Sequence, residues 1–217
     1  MHLFIYGSGG LGKEICDLSR RINAVYNRWS DISFIDDFRD SKSYYGLDVY
    51  RFEDILLIKE NIECVIALGE PKHREILYNK LIGNNIPIAT LIDPTALVSP
   101  SAKIGCGSII SALTIISSDV IISENVLIQP MVNIGHDIEI GKHSVFSSSV
   151  FPGGNSHFGN RVYVGMNSTI RENLTIEDDV IISMGSSVHR NVDAGLIVMG
   201  NPARPIQKNT NKLVFQK

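Results

Sequence analysis

The sequence predicts an α/β domain over residues 1–91 followed by a parallel β-helix over residues 92–199. Three observations carry that reading. Short apolar runs alternate with helix-like segments in the first part. From Ile92 a large apolar residue recurs at every sixth position, and the residue four places after each one is small or β-branched.

In the first part, "LFIYG" (Leu3 to Gly7) has the continuous apolar character of a buried strand and ends in glycine. "LGKEICDLSRRI" follows with Leu11, Ile15, Leu18 and Ile22 at helical spacing. "ISFID" (Ile32 to Asp36) is the second strand, "FEDILLIKEN" a helix, and "CVIALG" (Cys64 to Gly69) the third strand. A helix is expected from about Pro71 to Gly83 and a last short strand near "IATLI". Strand and helix alternate, so a parallel sheet with flanking helices is predicted.

In the second part, sixes counted from Ile92 fall on Val98, Ile104, Ile110 and so on to Val188, and only Pro152 breaks the large apolar series. The set four residues later runs from Ala102 to Val192, and only Leu174 is neither small nor β-branched. The first set is expected to stack along the inner axis, the second to fit a crowded corner. Three hexads per coil bring residues eighteen apart onto one face. The phase never slips, so any active residue must project from the coils themselves. Residues 200–217 form a C-terminal tail; from Ala194 onward it holds Arg204, Lys208, Lys212 and Lys217 and no acid.

Composition narrows the function classes. A formal net charge of −3 over 217 residues leaves no basic surplus for nucleic acid. No apolar run is long enough to span a bilayer, and "MHLFIYGSGG" lacks the features of a signal peptide. Cys16, Cys64 and Cys106 are scattered, which suits free thiols in a reducing compartment, the cytoplasm by default.

Two motifs carry chemistry. In "GSGGLG", Gly7, Gly9 and Gly12 fit GxGxxG between a strand and a helix, a turn whose backbone amides can meet a phosphate. Asp36 and Asp37 close the next strand, where a dinucleotide fold puts its ribose-binding acid. About ninety residues make only half such a fold, so a nucleotide-sugar diphosphate is the other occupant; a glycine turn that only permits tight packing is the third reading. The second motif is His136–Asp137 in "IGHDIE", at positions that face outward. An imidazole can take a proton from an attacking nucleophile, and an adjacent carboxylate can orient it and raise its basicity.

"IYGSGGLGKEI", "FIDD", "VIALGEPKHR", the hexads, "NIGHDIEIG" and the closing "GNPAR" together resemble the bacterial sugar acetyltransferases that join a small Rossmann-like domain to a left-handed β-helix. Members acetylate UDP-4-amino sugars, as in bacillosamine synthesis, or sialic acids. The resemblance implies a homotrimer with acetyl-CoA in the cleft between adjacent β-helices and no metal. It makes His136 the general base and Asp137 the residue that raises its basicity. It places Gly154 against the thioester oxygen, and Met166 and Met184 along the cofactor path. It puts a nucleotide-linked sugar on Ser8, Gly9, Gly10, Leu11, Asp36 and Asp37. The basic tail suits the CoA phosphates, through Arg204 above all.

The chain departs from the family pattern at Leu11, where UDP-amino-sugar enzymes carry histidine, and at Val145, which aligns with a cofactor-contacting histidine. His143 and His157 are candidates for that cleft; His2, His73 and His189 read as structural or solvated. Free sialic acid as acceptor, a zinc hydratase needing three convergent histidines, and a non-catalytic trimeric nucleotide-sugar scaffold are the competing functions.

Overall fold

β1 (His2–Tyr6) is buried over all five residues because it lies between two parallel neighbours in a sheet covered on both faces. α1 (Gly10–Tyr26) follows, then β2 (Asp31–Ile35), the hairpin β3 (Ser43–Tyr44) and β4 (Leu47–Tyr50), α2 (Phe52–Ile55), β5 (Ile62–Ile66) and α3 (Pro71–Gly83). The strand order is β3-β4-β2-β1-β5, with only β3 antiparallel to its neighbour. The structure is a computed structural model and describes residues 1–58 and 61–215.

α3 spans the residues its pattern predicts, opened by Pro71 at a first-turn position where a missing N–H costs nothing. The helix expected over "FEDILLIKEN" is a single turn. Phe52 and Ile55 are buried in the core and Ile58 packs partly against it, whereas Leu56 and Leu57 stay exposed, and Lys59 and Glu60 lie outside the described residues. The strand expected near "IATLI" divides. Ile88 bridges to Cys64 in the N-terminal sheet, and Leu91–Ile92 already pairs with Ile109–Ile110 in the β-helix.

The β-helix consists of two-residue strands stacked on three faces. One face holds Leu91–Ile92, Ile109–Ile110, Leu127–Ile128, Val145–Phe146, Tyr163–Val164 and Ile181–Ile182. The second holds Leu97–Val98, Ile115–Ile116, Asn133–Ile134, Phe151–Pro152, Thr169–Ile170 and Ser187–Val188. The third runs from Lys103–Ile104 to Thr175–Ile176. Each register is a shift of eighteen residues, as in Glu139↔His157. The second residue of each pair points inward and most of these enter one core with Val120, Val126, Val132 and their equivalents. Where that second set is serine, the hydroxyl bridges coils: Ser144 Oγ donates to the Gly159 carbonyl at 3.0 Å and accepts from Val162 N–H at 3.0 Å. A buried hydroxyl is tolerated because both roles are filled.

On the first face the outward residues are buried too. Ile109, Leu127 and Val145 share a core with Leu3, Ile15, Leu18 and Ile22, so the N-terminal domain sits on that face. A polar lock closes the same junction. Arg74 of α3 is fully buried and donates to the carbonyls of Ile66, Leu68 and Asn125 and to Asn125 Oδ1. Asn125 Nδ2 in turn donates to the Arg74 carbonyl at 3.0 Å and to His143 Nδ1 at 2.9 Å. The His143 ring also packs edge-on against Tyr78.

Burial pushes the His143 imidazole down to about 4; Glu75 opposes the shift, and Arg74, Arg161 and Lys142 add to it. Between pH 6.5 and about 4 the unfolded chain therefore binds a proton that the folded one does not, and stability is lost as pH falls through that window. The full contribution is about 3 kcal/mol. Denaturant midpoints at pH 7 and pH 4.5 should converge in His143→Asn relative to wild type. An equal acid-induced drop in both proteins contradicts this.

Candidate active site

His136 stands at the corner between the second and third faces, where the chain turns from Asn133–Ile134 to Glu139–Ile140. Its Nδ1 lies 2.7 Å from Asp137 Oδ2, and both side chains are exposed. Asp137 has φ 55°, as do its counterparts in nearly every hexad, including Asn125, Asn155, Asn167 and Asn173 with φ between 55° and 59°. Asn, Asp and Gly tolerate that left-handed geometry best. The repeat therefore has its own use for an aspartate there; the histidine before it is what the repeat does not require.

Gly154 lies one coil above His136. A Cβ there would come within 2.8 Å of both His136 Cε1 and Nε2, so the ring edge covers bare backbone that only glycine provides. The Gly154 N–H has no hydrogen-bond partner among the described residues, while its carbonyl accepts from Asn173 N–H at 3.1 Å. An imidazole tethered by a carboxylate beside a free amide can take a proton and hold a developing oxyanion.

The other expected cofactor residues are dispersed within one chain. Met166 and Met184 are exposed at the corner between the first and second faces, not at the His136 corner. Val145 is 1% exposed and packs under the N-terminal domain, so no ligand reaches it in this chain. Arg204 is exposed on the last strand, Ala203–Lys208, and lines a cavity of about 200 Å³ with Arg190, a residue the sequence reading passed over. His157 pairs with Glu139 at 3.3 Å on the third face, and His143 is buried in the domain junction. The four histidines of the β-helix therefore do not converge. Among the described residues no cluster of His, Cys, Asp and Glu is arranged to hold a metal.

The glycine turn opens a cavity of about 450 Å³ in the N-terminal domain, lined by Ser8, Gly9, Asp36, Asp37, Phe38 and His73, with Leu68 and Ile76 as apolar walls. Gly7 has φ +109°, and a Cβ on Gly12 would strike the Gly7 carbonyl at 2.3 Å, so these two serve the turn itself. A Cβ on Gly9 meets nothing within 4 Å, so packing does not explain that glycine. Gly10 and Leu11 begin α1; they do not line the cavity, and Leu11 packs against the core. His73 also lines it while remaining exposed, as its reading as a solvated residue has it; its place seven residues after β5 was the available signal for the cavity.

Asp36 and Asp37 organise this cavity through the domain's own hydrogen bonds. Asp36 accepts from the Ser8 hydroxyl and N–H and from the N–H groups of Phe38 and Arg39. Burial pulls its carboxyl upward, but these donors outweigh it and hold the group below the usual carboxylate range. Asp37 accepts from the Tyr6 hydroxyl, Phe52 N–H and Lys80, and again the donors outweigh burial.

Comparison with known proteins agrees with this architecture. Residues 2–81 match the PglD N-terminal domain family. The acetyltransferase domain of PglB from Neisseria gonorrhoeae, in complex with acetyl coenzyme A, is 26% identical and superposes with a TM-score of 0.88 over 94% of this chain and 98% of its own. WeeI from Acinetobacter baumannii is 25% identical, with a TM-score of 0.89 over 95% of this chain and 100% of its own. Residues 2–81 thus fall in the PglD N-terminal domain family, and along nearly its whole length the chain is similar to bacterial acetyltransferases of the same two-part build. Its β-helix is of the left-handed kind. PerB from Caulobacter crescentus, in complex with CoA and GDP-perosamine, shares this chain's fold at 22% identity, with a TM-score of 0.87 over 95% of this chain and 98% of its own. The bifunctional protein GlmU of Streptococcus mutans is 36% identical over 70 residues. That match takes in 31% of this chain and 15% of GlmU's length. Among the described residues no helix is long and apolar enough to cross a membrane.

Proposed function

We propose that the protein transfers the acetyl group of acetyl-CoA to an amino group of a nucleotide-linked sugar for a bacterial surface glycan. The observation that carries this is His136, exposed, tethered to Asp137 and resting on Gly154. The sugar amine attacks the thioester carbon, a C–N bond forms and the C–S bond breaks. His136 accepts the amine proton and returns it to the CoA thiolate, while the Gly154 N–H donates to the carbonyl oxygen. The nucleotide lies in the cavity of Ser8, Gly9, Asp36 and Asp37, and Arg204 and Arg190 meet the CoA phosphates. The acetyl-CoA complex of the PglB domain supports the donor, and PerB's nucleotide sugar supports the acceptor class.

His136 sits at the corner opposite the face that carries its own N-terminal domain, whereas Met166 and Met184 flank that domain. A site that uses all of them is completed by a second copy, and a homotrimer closes the set. The outward residues Leu97, Ile115 and Phe151 of the second face, exposed beside Leu113 and Met131, give such a contact its apolar surface. The test is a panel of nucleotide-linked amino sugars and free sialic acid, with acetyl-CoA, followed by thiol release and product mass, alongside sedimentation. An N-acetylated nucleotide sugar and a trimer are expected. Turnover of free sialic acid alone, or an active monomer, refutes the proposal.

A further inference from the structure

The tail does more than add a last strand to the β-helix. After Ala203–Lys208 pairs with Leu196–Gly200, residues 209–215 cross back to the N-terminal domain. Asn209 Nδ2 donates to the Asp179 carbonyl at 3.0 Å, and Lys212 Nζ meets Asp179 Oδ2 at 2.8 Å, which anchors the segment to the last coils. Its end reaches Glu70, whose Oε2 accepts the N–H groups of Val214 at 2.9 Å and Phe215 at 3.1 Å. The Phe215 ring packs edge-on against Tyr163, and Lys72 donates to the Asn211 carbonyl at 3.2 Å.

Glu70 is 6% exposed and stands between Leu68 and His73, two residues of the cavity wall. It is the N-cap residue of α3, but its side chain makes no capping bond, so the carboxylate serves the tail and not the helix start. We propose that residues 209–215 form a clamp that fixes the Leu68–His73 wall of the nucleotide cavity, with Glu70 as its positioning residue. Charge-assisted bonds to two consecutive backbone amides fix the direction of the chain as well as its place. A wall held in one arrangement keeps the cavity in its binding-competent form, and releasing it lowers apparent affinity by the fraction of time that form is lost. The functional half of this inference rests on reading that cavity as the nucleotide site.

Three proteins test it: a chain ending at Lys208, Glu70→Ala, and Glu70→Gln, whose amide oxygen still accepts both N–H groups. Amide hydrogen exchange of residues 68–73 should quicken in the first two and stay at the wild-type rate in the third. Affinity for UDP, GDP or dTDP, measured by calorimetry, should fall about tenfold in the first two, while acetyl-CoA affinity changes less than about twofold. Unchanged exchange in the truncated chain overturns the clamp. Faster exchange with unchanged nucleotide affinity overturns its link to the cavity, and so does an equal loss for both ligands. If wild type binds no nucleoside diphosphate, the nucleotide reading of the cavity fails, and the exchange rates still decide the clamp. Should Glu70→Ala not fold, the truncated chain and Glu70→Gln decide both questions.

Discussion

His136→Ala is expected to lower turnover by about 10²–10⁴-fold, the range a single general base contributes. The side chain is exposed, so its removal leaves no core cavity, and the unfolding midpoint should stay within about 0.5 kcal/mol of wild type. Acetyl-CoA affinity should change little, because the cofactor contacts proposed above lie mostly on other coils. Asp137→Asn should lose less turnover, since the imidazole remains and asparagine suits the left-handed corner that Asp137 occupies. A third variant separates the base from its platform. Gly154→Ala puts a methyl group within 2.8 Å of the His136 ring and displaces it without removing it. It should lower kcat while the pH profile keeps its shape. Near-normal turnover by His136→Ala at saturating sugar would sink the assignment and make His157, paired with Glu139, the next residue to test.

The repeat was legible because each hexad states the same two requirements, an inward apolar residue and a small one at the corner. Every two-residue strand from Leu97–Val98 to Ser187–Val188 falls where that phase puts it. A third requirement went unread. The residue three places after each inward position from Ile104 to Ile182 has positive φ, and Asn125, Asn155, Asn167, Asn173, Asp179, Gly107 and Gly185 mark it in the sequence. That signal identifies Asp137 as part of the corner and singles out His136. The β3–β4 hairpin was missed for a related reason. Its turn is Tyr45–Gly46, with φ 52° and 74°, and tyrosine is an unusual first residue there. The burial of Val145 and His143 could not be seen from periodicity, which marks the inward residues but not which outer face another domain covers. The apolar outward run Ile109, Leu127 and Val145 is the trace of that covering, but Leu97, Ile115 and Phe151 present the same pattern and stay exposed.

Arg74→Met should be the most destabilising single change at the domain junction. Arg74 is fully buried, and its guanidinium contacts no carboxylate among the described residues; burial alone pulls it down to about 9, so it stays charged at neutral pH. A cation without a counter-ion persists there because all of its N–H groups are filled: Nε and Nη2 by the Asn125 carbonyl, Nη2 also by Asn125 Oδ1, and Nη1 by the Ile66 and Leu68 carbonyls. Methionine of similar length fills the space but leaves those acceptors in a dry interior. A buried unsatisfied group costs about 1–3 kcal/mol, so a loss of at least about 3 kcal/mol is expected from the set. Arg74→Lys should recover only part of it, because one ammonium cannot reach both the Leu68 and Asn125 sides as a planar fork does. The loss should be cooperative with His143, since Asn125 holds both residues; in a double-mutant cycle Arg74→Met and His143→Asn should therefore cost less together than the sum of each alone. Denaturant midpoints of Arg74→Met within about 1 kcal/mol of wild type would show that the apolar contacts of Ile109, Leu127 and Val145 hold the domains together without the polar lock.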